Sequence, residues 1–462
     1  MAAPPSVLLL IAAAAAASAN TFIPFLGRGT AQPSQPPTSQ PPAPRRRLSD
    51  DDIKQLLRGR DALVLAASDT ALGLSVAEGL TDVGARVILV CREPKRVQRA
   101  CDRMTARCRT GGDYRSNAVA PPGCEARALD LSDAGAVWRF AEQLEREERP
   151  LHVLVNCADD ACPLHSRNGH SGWERTAGSN HLGPFLLTNL LLDRMVGTMR
   201  ADARAAADAA GLSVAAYAEA AEAAAAADRR DGSVRPRPAP APLGRVITVG
   251  ERARLTRRRP APAAWLQLGR HNYSSWRARE ASHQANLLSG LHLADLLGRA
   301  AVGAGGATIE MNVVASGGGR WLPRPLRGAF GVQKRAALTA LFLASTPLRG
   351  LHGLYFDGSM RTREPIAVSR RLGIAPAEAG RAAFAVSRAL SGAPVAQWEH
   401  DLEVANLGGQ AVATRRPAWM RGSAPPPPPP ARRADDTTAV AGSEALGRER
   451  ERAQLPLKML VE

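Results

Sequence analysis

Cysteine is the residue type in this chain whose chemistry depends most directly on spacing. The chain has six, all in one third of its length: Cys91, Cys101, Cys108, Cys124, Cys157 and Cys162. None shows the C-x-x-C or Cys/His spacing of a zinc site, so no metal is expected. Cys108 and Cys124 bracket one loop and would pair in an oxidising compartment, but free thiols are the favoured expectation.

Candidates for proton transfer are few, because tyrosine and lysine are rare. Each occurs four times, and the remainder of the 60 basic residues are arginine. An arginine keeps its proton at every working pH, since its pKa lies above ~12. A histidine, with a reference pKa near ~6.5, can titrate.

The net charge of +17 results from these arginines, which are spread along the chain. Because they are not clustered on one motif, no nucleic-acid partner is expected.

Polar residues that follow short apolar runs are the remaining chemical signal. Arg92 follows one run, Asp130 ends another, and Asn156 to Asp159 follow a third. If the runs are strands of a parallel sheet, these residues meet at its carboxyl edge, where such sheets bind ligands.

Between residues 60 and 390 the apolar runs alternate with amphipathic segments, which is typical of a parallel sheet covered on both faces. The predicted strands are Ala62–Ala67, Arg86–Arg92, Glu125–Leu131, His152–Ala158, Arg245–Val249, Thr308–Val314 and Gly353–Asp357. The predicted helices are Thr70–Val83, Glu93–Arg107, Ser132–Glu148, Asn180–Met195, Ser274–Arg299 and Lys334–Ala344. The pattern predicts an α/β fold: a doubly wound (Rossmann), mostly parallel seven-stranded sheet with helices on both faces.

Five segments in this order give the chain a family resemblance: Val87–Arg92, Leu129–Asp133, Asn156–Asp159, Asn180–Gly183 and Gly353–Asp357. They resemble the short-chain dehydrogenase/reductase family, and within it the branch of retinol dehydrogenases and WW-domain oxidoreductases. The resemblance covers roughly residues 60–390 and is interrupted by an Ala/Pro-rich insert at residues 198–243.

The resemblance implies NADP(H) as cofactor, bound through a weakened phosphate loop. The family's glycine loop falls on residues 66–73, where its first two glycines are Ala67 and Ala71 and the third is Gly73. Each added methyl group crowds the place where the backbone approaches the pyrophosphate. Arg92 matches an arginine that the family uses on the 2′-phosphate. The implied cofactor residues are Ala67, Asp69, Ala71, Leu72, Gly73, Arg92, Asp130, Leu131, Asn156 and Ala158.

The resemblance also implies a degenerate catalytic tetrad. The family uses Asn, Ser, Tyr and Lys, and only the Asn remains, as Asn180. Glu251 stands at the Ser position, Arg279 at the Tyr position and His283 at the Lys position. Since Ser and Tyr converge on one substrate carbonyl in the family, Glu251 and Arg279 are expected to form an ion pair there.

Three functions remain open. The favoured one is a nucleotide-binding or scaffold pseudoenzyme. The alternative is an active NADP(H)-dependent oxidoreductase of a lipophilic alcohol or aldehyde, in which His283 or Glu251 transfers the proton and Arg279 polarises the carbonyl. The third is a membrane-tethered interaction protein that works through the insert or the polyproline stretch.

The ends of the chain are predicted to lie outside the catalytic-type domain, residues 51–392. Residues 1–27 carry no charge and read as a cleaved leader or a membrane anchor through residues 7–27, which would place the protein at the endoplasmic reticulum or another organelle. Residues 28–50 read as a Pro/Gln/Ser-rich linker and residues 393–462 as a disordered Pro-rich tail. The expected partners are a lipophilic small molecule and a second copy of the chain, which the resemblance implies is paired through the helices Asn180–Met195 and Ser274–Arg299.

Overall fold

The structure is a computed structural model that describes only part of the chain. The described residues are 57–66, 71–110, 121–220, 223, 243–251, 253–255, 266, 270–301, 308–315, 332–345, 351–357, 362, 366–368 and 376–395. The predicted leader, the predicted linker and residues 396–462 of the predicted tail lie outside them. So do Ala67 and Asp69 of the phosphate loop.

Seven parallel strands form the central sheet, as predicted. They are β1 Asp61–Leu65, β2 Arg86–Cys91, β3 Gly123–Ala128, β4 Val153–Asn156, β5 Leu243–Gly250, β7 Thr308–Ala315 and β8 Tyr355–Phe356. Their order across the sheet is β3-β2-β1-β4-β5-β7-β8. Two three-residue strands that the sequence pattern did not predict, β6 Ala253–Leu255 and β9 Ile366–Val368, form a separate parallel pair.

The helices cover both faces of this sheet. They are α1 Ala71–Asp82, α2 Pro94–Thr110, α3 Ala134–Arg146, α4 Arg175–Ala177, α5 Gly183–Ala209, α6 Ser275–Ala301, α7 Val332–Ser345 and α8 Pro376–Ser391. The residues after Asp61 in strand β1 are all apolar because helices cover both faces of the strand. Ala62 and Val64 pack with α1 and α7, whereas Leu63 and Leu65 pack with α3 and α5. Both faces of the strand are buried, as the fold class requires.

A π turn, Gly178–Leu182, lies between α4 and α5 and holds Asn180. Directly after the turn, Gly183 at the start of α5 approaches the loop after β3 closely. A Cβ there would lie 1.9 Å from the backbone oxygen of Leu131, so no larger residue fits without moving the helix. Turns of this kind are frequent at functional sites, and this one fixes where Asn180 points.

Helix α5 is longer than predicted and extends into the predicted insert. The pattern predicted a helix ending at Met195, before the Ala/Pro-rich insert at residues 198–243. Instead α5 continues to Ala209, and Met199 and Ala203 of the continuation are buried. Asp202 bonds Arg60 and lies 3.2 Å from His152 Nε2, which adds an ionic attachment to the apolar one. Residues three to four apart face the same side, so these side chains all meet the body.

The structure contains a disulfide that the sequence pattern did not predict. Cys101 in α2 joins Cys124 in β3, with 4.7 Å between their Cα atoms, which is within the usual range for a disulfide. Cys108, the partner considered from the loop, has a free thiol instead. Burial raises the pKa of that thiol to about 11. In the described residues no helix is long and apolar enough to cross a membrane.

Candidate functional site

The four tetrad positions meet at the carboxyl edge of the sheet. Glu251 follows β5 directly, and Arg279 and His283 are one turn apart on the same face of α6. Asn180 comes from the π turn. Gly250 brings β5 against α6: a Cβ there would lie 2.8 Å from Val313 Cγ1 and 3.0 Å from Leu287 N. The backbone N–H of Glu251 then donates to the carbonyl of His283 at 3.0 Å, which holds the strand end and the helix in register.

Arg279 occupies the tyrosine position with its guanidinium committed to two carboxylates. Its Nε and Nη2 donate to Asp159 Oδ1 and Oδ2 at 2.5 and 2.9 Å, and its Nη1 donates to Glu251 Oε1 at 3.2 Å. The expected Glu251–Arg279 ion pair is therefore confirmed. The side chain of Arg279 is only 12% exposed, so these bonds are largely shielded from water. Bidentate pairs of this kind are the strongest side-chain hydrogen bonds.

His283 replaces the family's lysine and is fully buried. Its Nε2 lies 3.1 Å from Asp159 Oδ1 and its Nδ1 lies 3.3 Å from the carbonyl oxygen of Val249. Both partners are oxygen acceptors that also receive other donors, since the carbonyl of Val249 accepts from Asn286 Nδ2 at 2.9 Å and Asp159 Oδ1 accepts from Arg279 Nε. The flexible ammonium group of the family's lysine is thus replaced by a ring that is held within the site.

Asp159 is the functional residue that sequence reasoning missed, although its position was noted. It follows β4, where the family has a glycine, and it binds both Arg279 and His283. Burial acts to raise the pKa of Asp159, but the hydrogen bond from His283 and the charges of Arg279 and His283 outweigh it and hold that pKa well below its usual range. The signal was present: an acidic residue replaced glycine in the same site where cations replaced Tyr and Lys.

Asn180 is buried and fully bonded. Its Nδ2 donates to the carbonyl of Asp160 at 2.8 Å and to Ser282 Oγ at 3.2 Å, and its Oδ1 accepts from Asp160 N at 2.6 Å. Asn286 holds its backbone by donating from Nδ2 to the carbonyls of Asn180 and Val249, each at 2.9 Å. The π turn is thus tied both to the end of β4 and to α6.

Tyr273 is the tyrosine nearest in sequence to Arg279, and it is occupied elsewhere. Its hydroxyl donates to the carbonyl of Cys162 at 2.7 Å and lies 3.1 Å from Thr176 Oγ1. Burial raises the pKa of Tyr273 to about 12, which makes it a poorer acid than an ordinary tyrosine. It does not restore the missing catalytic hydroxyl.

The implied cofactor residues that the structure describes lie along the same edge. Ala71, Leu72 and Gly73 begin α1, whose first turn has no acidic residue. Arg92 follows β2, with its Nη2 2.9 Å from Asp160 Oδ2 and its side chain 24% exposed. A helix N-terminus and a partly exposed arginine fit the phosphates of a dinucleotide. Asp160 would compete with a phosphate for Arg92.

The other implied cofactor residues use their side chains inside the protein. Asp130 Oδ1 accepts from the N–H and the hydroxyl of Ser132, at 2.9 and 2.7 Å. Leu131 and Ala158 are buried. The Nδ2 of Asn156 donates to Thr188 Oγ1 at 3.0 Å and to Thr248 Oγ1 at 3.2 Å, beneath the site. A cofactor role for these residues stays a prediction.

Residues 61–205 of this domain are similar to known proteins. The family described as short chain dehydrogenase matches residues 61–205. Retinol dehydrogenase 12 of Mus musculus is 36% identical over 134 residues, 29% of this chain and 38% of that protein. Retinol dehydrogenase 14 of the same organism is 36% identical over 143 residues, 30% of this chain and 40% of that protein. A solved structure of a putative uncharacterized protein from Mycobacterium paratuberculosis is 22% identical, with a TM-score of 0.43, and covers 75% of this chain and 98% of that one.

The family match ends before three of the four tetrad positions. The chain aligns with about two fifths of the length of the curated relatives it matches. Asp159 and Asn180 lie inside the family match, but Glu251, Arg279 and His283 lie beyond it. The family match contains all of the implied cofactor residues, from Ala67 to Ala158.

Proposed function

We propose that the protein, whose residues 61–205 match the short-chain dehydrogenase family and which is similar to retinol dehydrogenases, binds a nicotinamide dinucleotide but is impaired in the family's classical proton transfer. It would act as a nucleotide-binding or scaffold pseudoenzyme.

One observation carries the proposal: Arg279 is locked between Asp159 and Glu251 at the position of the proton-donating tyrosine. A guanidinium does not give up its proton at any working pH. Its neighbours are engaged as well, since His283 and Asn180 already have a partner for each polar side-chain atom. The guanidinium of Arg279 already has two carboxylate partners, so its charge is paired without a substrate.

NADP(H) is the proposed cofactor, held by the start of α1 and by Arg92. The cofactor would supply the hydride, and the chain would supply the pyrophosphate contacts at the helix N-terminus and a cation for the 2′-phosphate. The two alanines in the phosphate loop predict weaker binding than in relatives with the full glycine loop.

An active oxidoreductase is the second candidate, because Asn180 is kept in its π turn and the Glu251 carboxylate is 10% exposed beside Arg279. In that case Glu251 transfers the proton and Arg279 polarises the carbonyl of a lipophilic aldehyde. A membrane or organelle role for residues 1–27 and pairing through α5 and α6 remain proposals.

Calorimetric titration of the purified chain with NADPH separates these functions. Binding, with no oxidation of NADPH in the presence of retinal or aromatic aldehydes, supports the pseudoenzyme. Sustained turnover refutes the impairment, and no heat at millimolar NADPH refutes the nucleotide-binding proposal altogether. The variant Arg92→Ala should weaken NADPH binding more than NADH binding, because it removes only the 2′-phosphate cation.

Restoring the tetrad requires a fourth change that the sequence alone did not suggest. The triple variant Glu251→Ser, Arg279→Tyr, His283→Lys leaves Asp159 beside the new phenol, where a carboxylate raises the phenol's pKa. The quadruple variant with Asp159→Gly removes that charge. We expect the quadruple variant to reduce aldehydes measurably faster than the triple variant. If both are inactive although they bind NADPH, more than the tetrad has been lost.

A further inference from the structure

Two buried side-chain oxygens beneath the site lack hydrogen-bond partners among the described residues. They are Oδ1 of Asn156, at the end of β4, and Oδ1 of Asn189, in the second turn of α5. The residues are 5% and 2% exposed. An unpaired buried acceptor is unfavourable, and two at one place indicate a donor that binds both.

The orientation of both amides is fixed by their other partners. Thr188 gives its single hydroxyl proton to the carbonyl of Pro184 at 2.7 Å, so only the Nδ2 of Asn156 can face Thr188 Oγ1. Likewise Asn189 faces the carbonyl of Phe185 at 2.8 Å, and only a nitrogen can donate there. Turning either amide over would place two acceptors together, so the oxygens must face away from these partners.

Both residues line one small cavity between α5, α6 and the sheet. Its volume is about 20 Å³, which suits one water molecule and excludes a substrate. Its polar lining is completed by His181, Thr188, Thr248, Asn286 and Ser289. No carboxylate lines it, so a cation has no counter-charge there.

The lining also shows which hydrogen bonds are still open. Asn286 and His181 bind each other, at 2.8 Å between Oδ1 and Nδ1, and His181 Nε2 bonds Ser387 Oγ at 2.6 Å. Thr248 accepts from Asn156 and keeps its own proton to donate. The cavity therefore offers two acceptors and one donor, which match the two donors and the acceptor of a water molecule.

We propose that this cavity is a specific site for one long-lived water molecule, which donates to Asn156 Oδ1 and Asn189 Oδ1 and ties β4 to α5. The water supports the floor of the candidate site, since Asn156 lies three residues before Asp159. The proposal is independent of catalysis and of the cofactor.

Water-oxygen magnetic relaxation dispersion on the full chain counts such molecules directly. We expect the variant Asn189→Leu to lose one long-lived water and to unfold at lower urea concentration, because Asn156 Oδ1 is left alone. Without a bound water the substitution removes an unpaired acceptor and the bond from Nδ2 to the carbonyl of Phe185, so the water count would not change and the urea midpoint would fall by no more than in a variant that loses one such bond. An unchanged water count, or a raised midpoint, overturns the proposal.

The matched control is Ser345→Ala. Ser345 also bonds a carbonyl four residues earlier in a buried helix, that of Leu341 at 2.8 Å, but it is remote from the cavity. It should leave the water count unchanged. If Asn189→Leu does not fold, a high-resolution crystal structure of the natural chain decides: electron density within hydrogen-bond distance of both amide oxygens supports the site, and its absence overturns it.

Discussion

At the scale of single residues, the candidate site has charged side chains where the family has Ser, Tyr and Gly, and these charges pair with one another. Arg279 alone would be a largely buried cation, and Glu251 alone a buried anion. Arg279 is tolerated because Asp159 and Glu251 both bind it, and Glu251 is tolerated because Arg279 does. The substitutions are therefore coupled, and the effect of changing one depends on the others.

Asp159→Asn tests this coupling. It leaves Arg279 with one carboxylate, that of Glu251, and we expect the free energy of unfolding to fall by about 3 kcal/mol, as when one partner of a buried pair is removed. Urea denaturation measures it. The matched control is Asp160→Asn, which weakens a single ion pair, to an Arg92 side chain that is 24% exposed, and should lower stability by less than Asp159→Asn does. Equal losses would contradict the buried character of the cluster.

The resemblance to a family predicted half of this cluster. It placed Glu251 and Arg279 at positions that converge, and their contact is confirmed. It could not predict the contacts of Asp159, because the family has a glycine there and a glycine has no side chain from which a contact could be carried over.

At the scale of elements, alternation of apolar runs was sufficient for the seven strands and six of the helices. It was insufficient for β6 and β9, since three residues are too few to show a period. Helix α8 was not predicted, although its sequence carries the signal. Its buried face includes Ala379, Ala383, Phe384 and Ser387, which stand at helical spacing.

Two glycines of the long helical run give a direct test of element packing. Gly183→Ala should lower the free energy of unfolding by more than about 2 kcal/mol, because its Cβ would meet the backbone of Leu131. Gly197→Ala, in the same helix with nothing within 4 Å of the new Cβ, should instead raise it by up to about 1 kcal/mol. Thermal or urea unfolding of both variants suffices. A neutral Gly183→Ala would mean that α5 does not approach Leu131 so closely.

At the scale of the whole molecule, stability should depend on pH through a buried histidine. Burial lowers the pKa of His181 from 6.5 to about 4, with a smaller opposing effect from Asn286 and a small lowering by the charge of His283. Between these two pKa values the unfolded chain therefore binds a proton at His181 that the folded chain does not bind. The stabilisation is complete above pH ~6.5 and is lost as the pH falls toward ~4, by about 3 kcal/mol in all.

Urea unfolding at several pH values measures this dependence. The variant His181→Gln should flatten the slope between pH ~6.5 and ~4 by up to one proton. His170→Gln changes a histidine that is 85% exposed and serves as control, because it should leave the slope as it is. Identical slopes in the natural chain and in His181→Gln would show that His181 is not the group responsible.

The order of the strands explains why the sheet can accommodate the insert. Strands β1 to β4 form one contiguous part of the sheet, and β5, β7 and β8 form the rest, so the two parts share a single seam between β4 and β5. The chain crosses that seam once, and the insert lies in this crossing. Lengthening the crossing disturbs no other strand pair and adds only a slowly growing loop entropy. The family match, residues 61–205, ends within α5, before the chain reaches β5. The chain is thus divisible there, and the two pieces, produced separately, are expected to reassemble along β4 and β5.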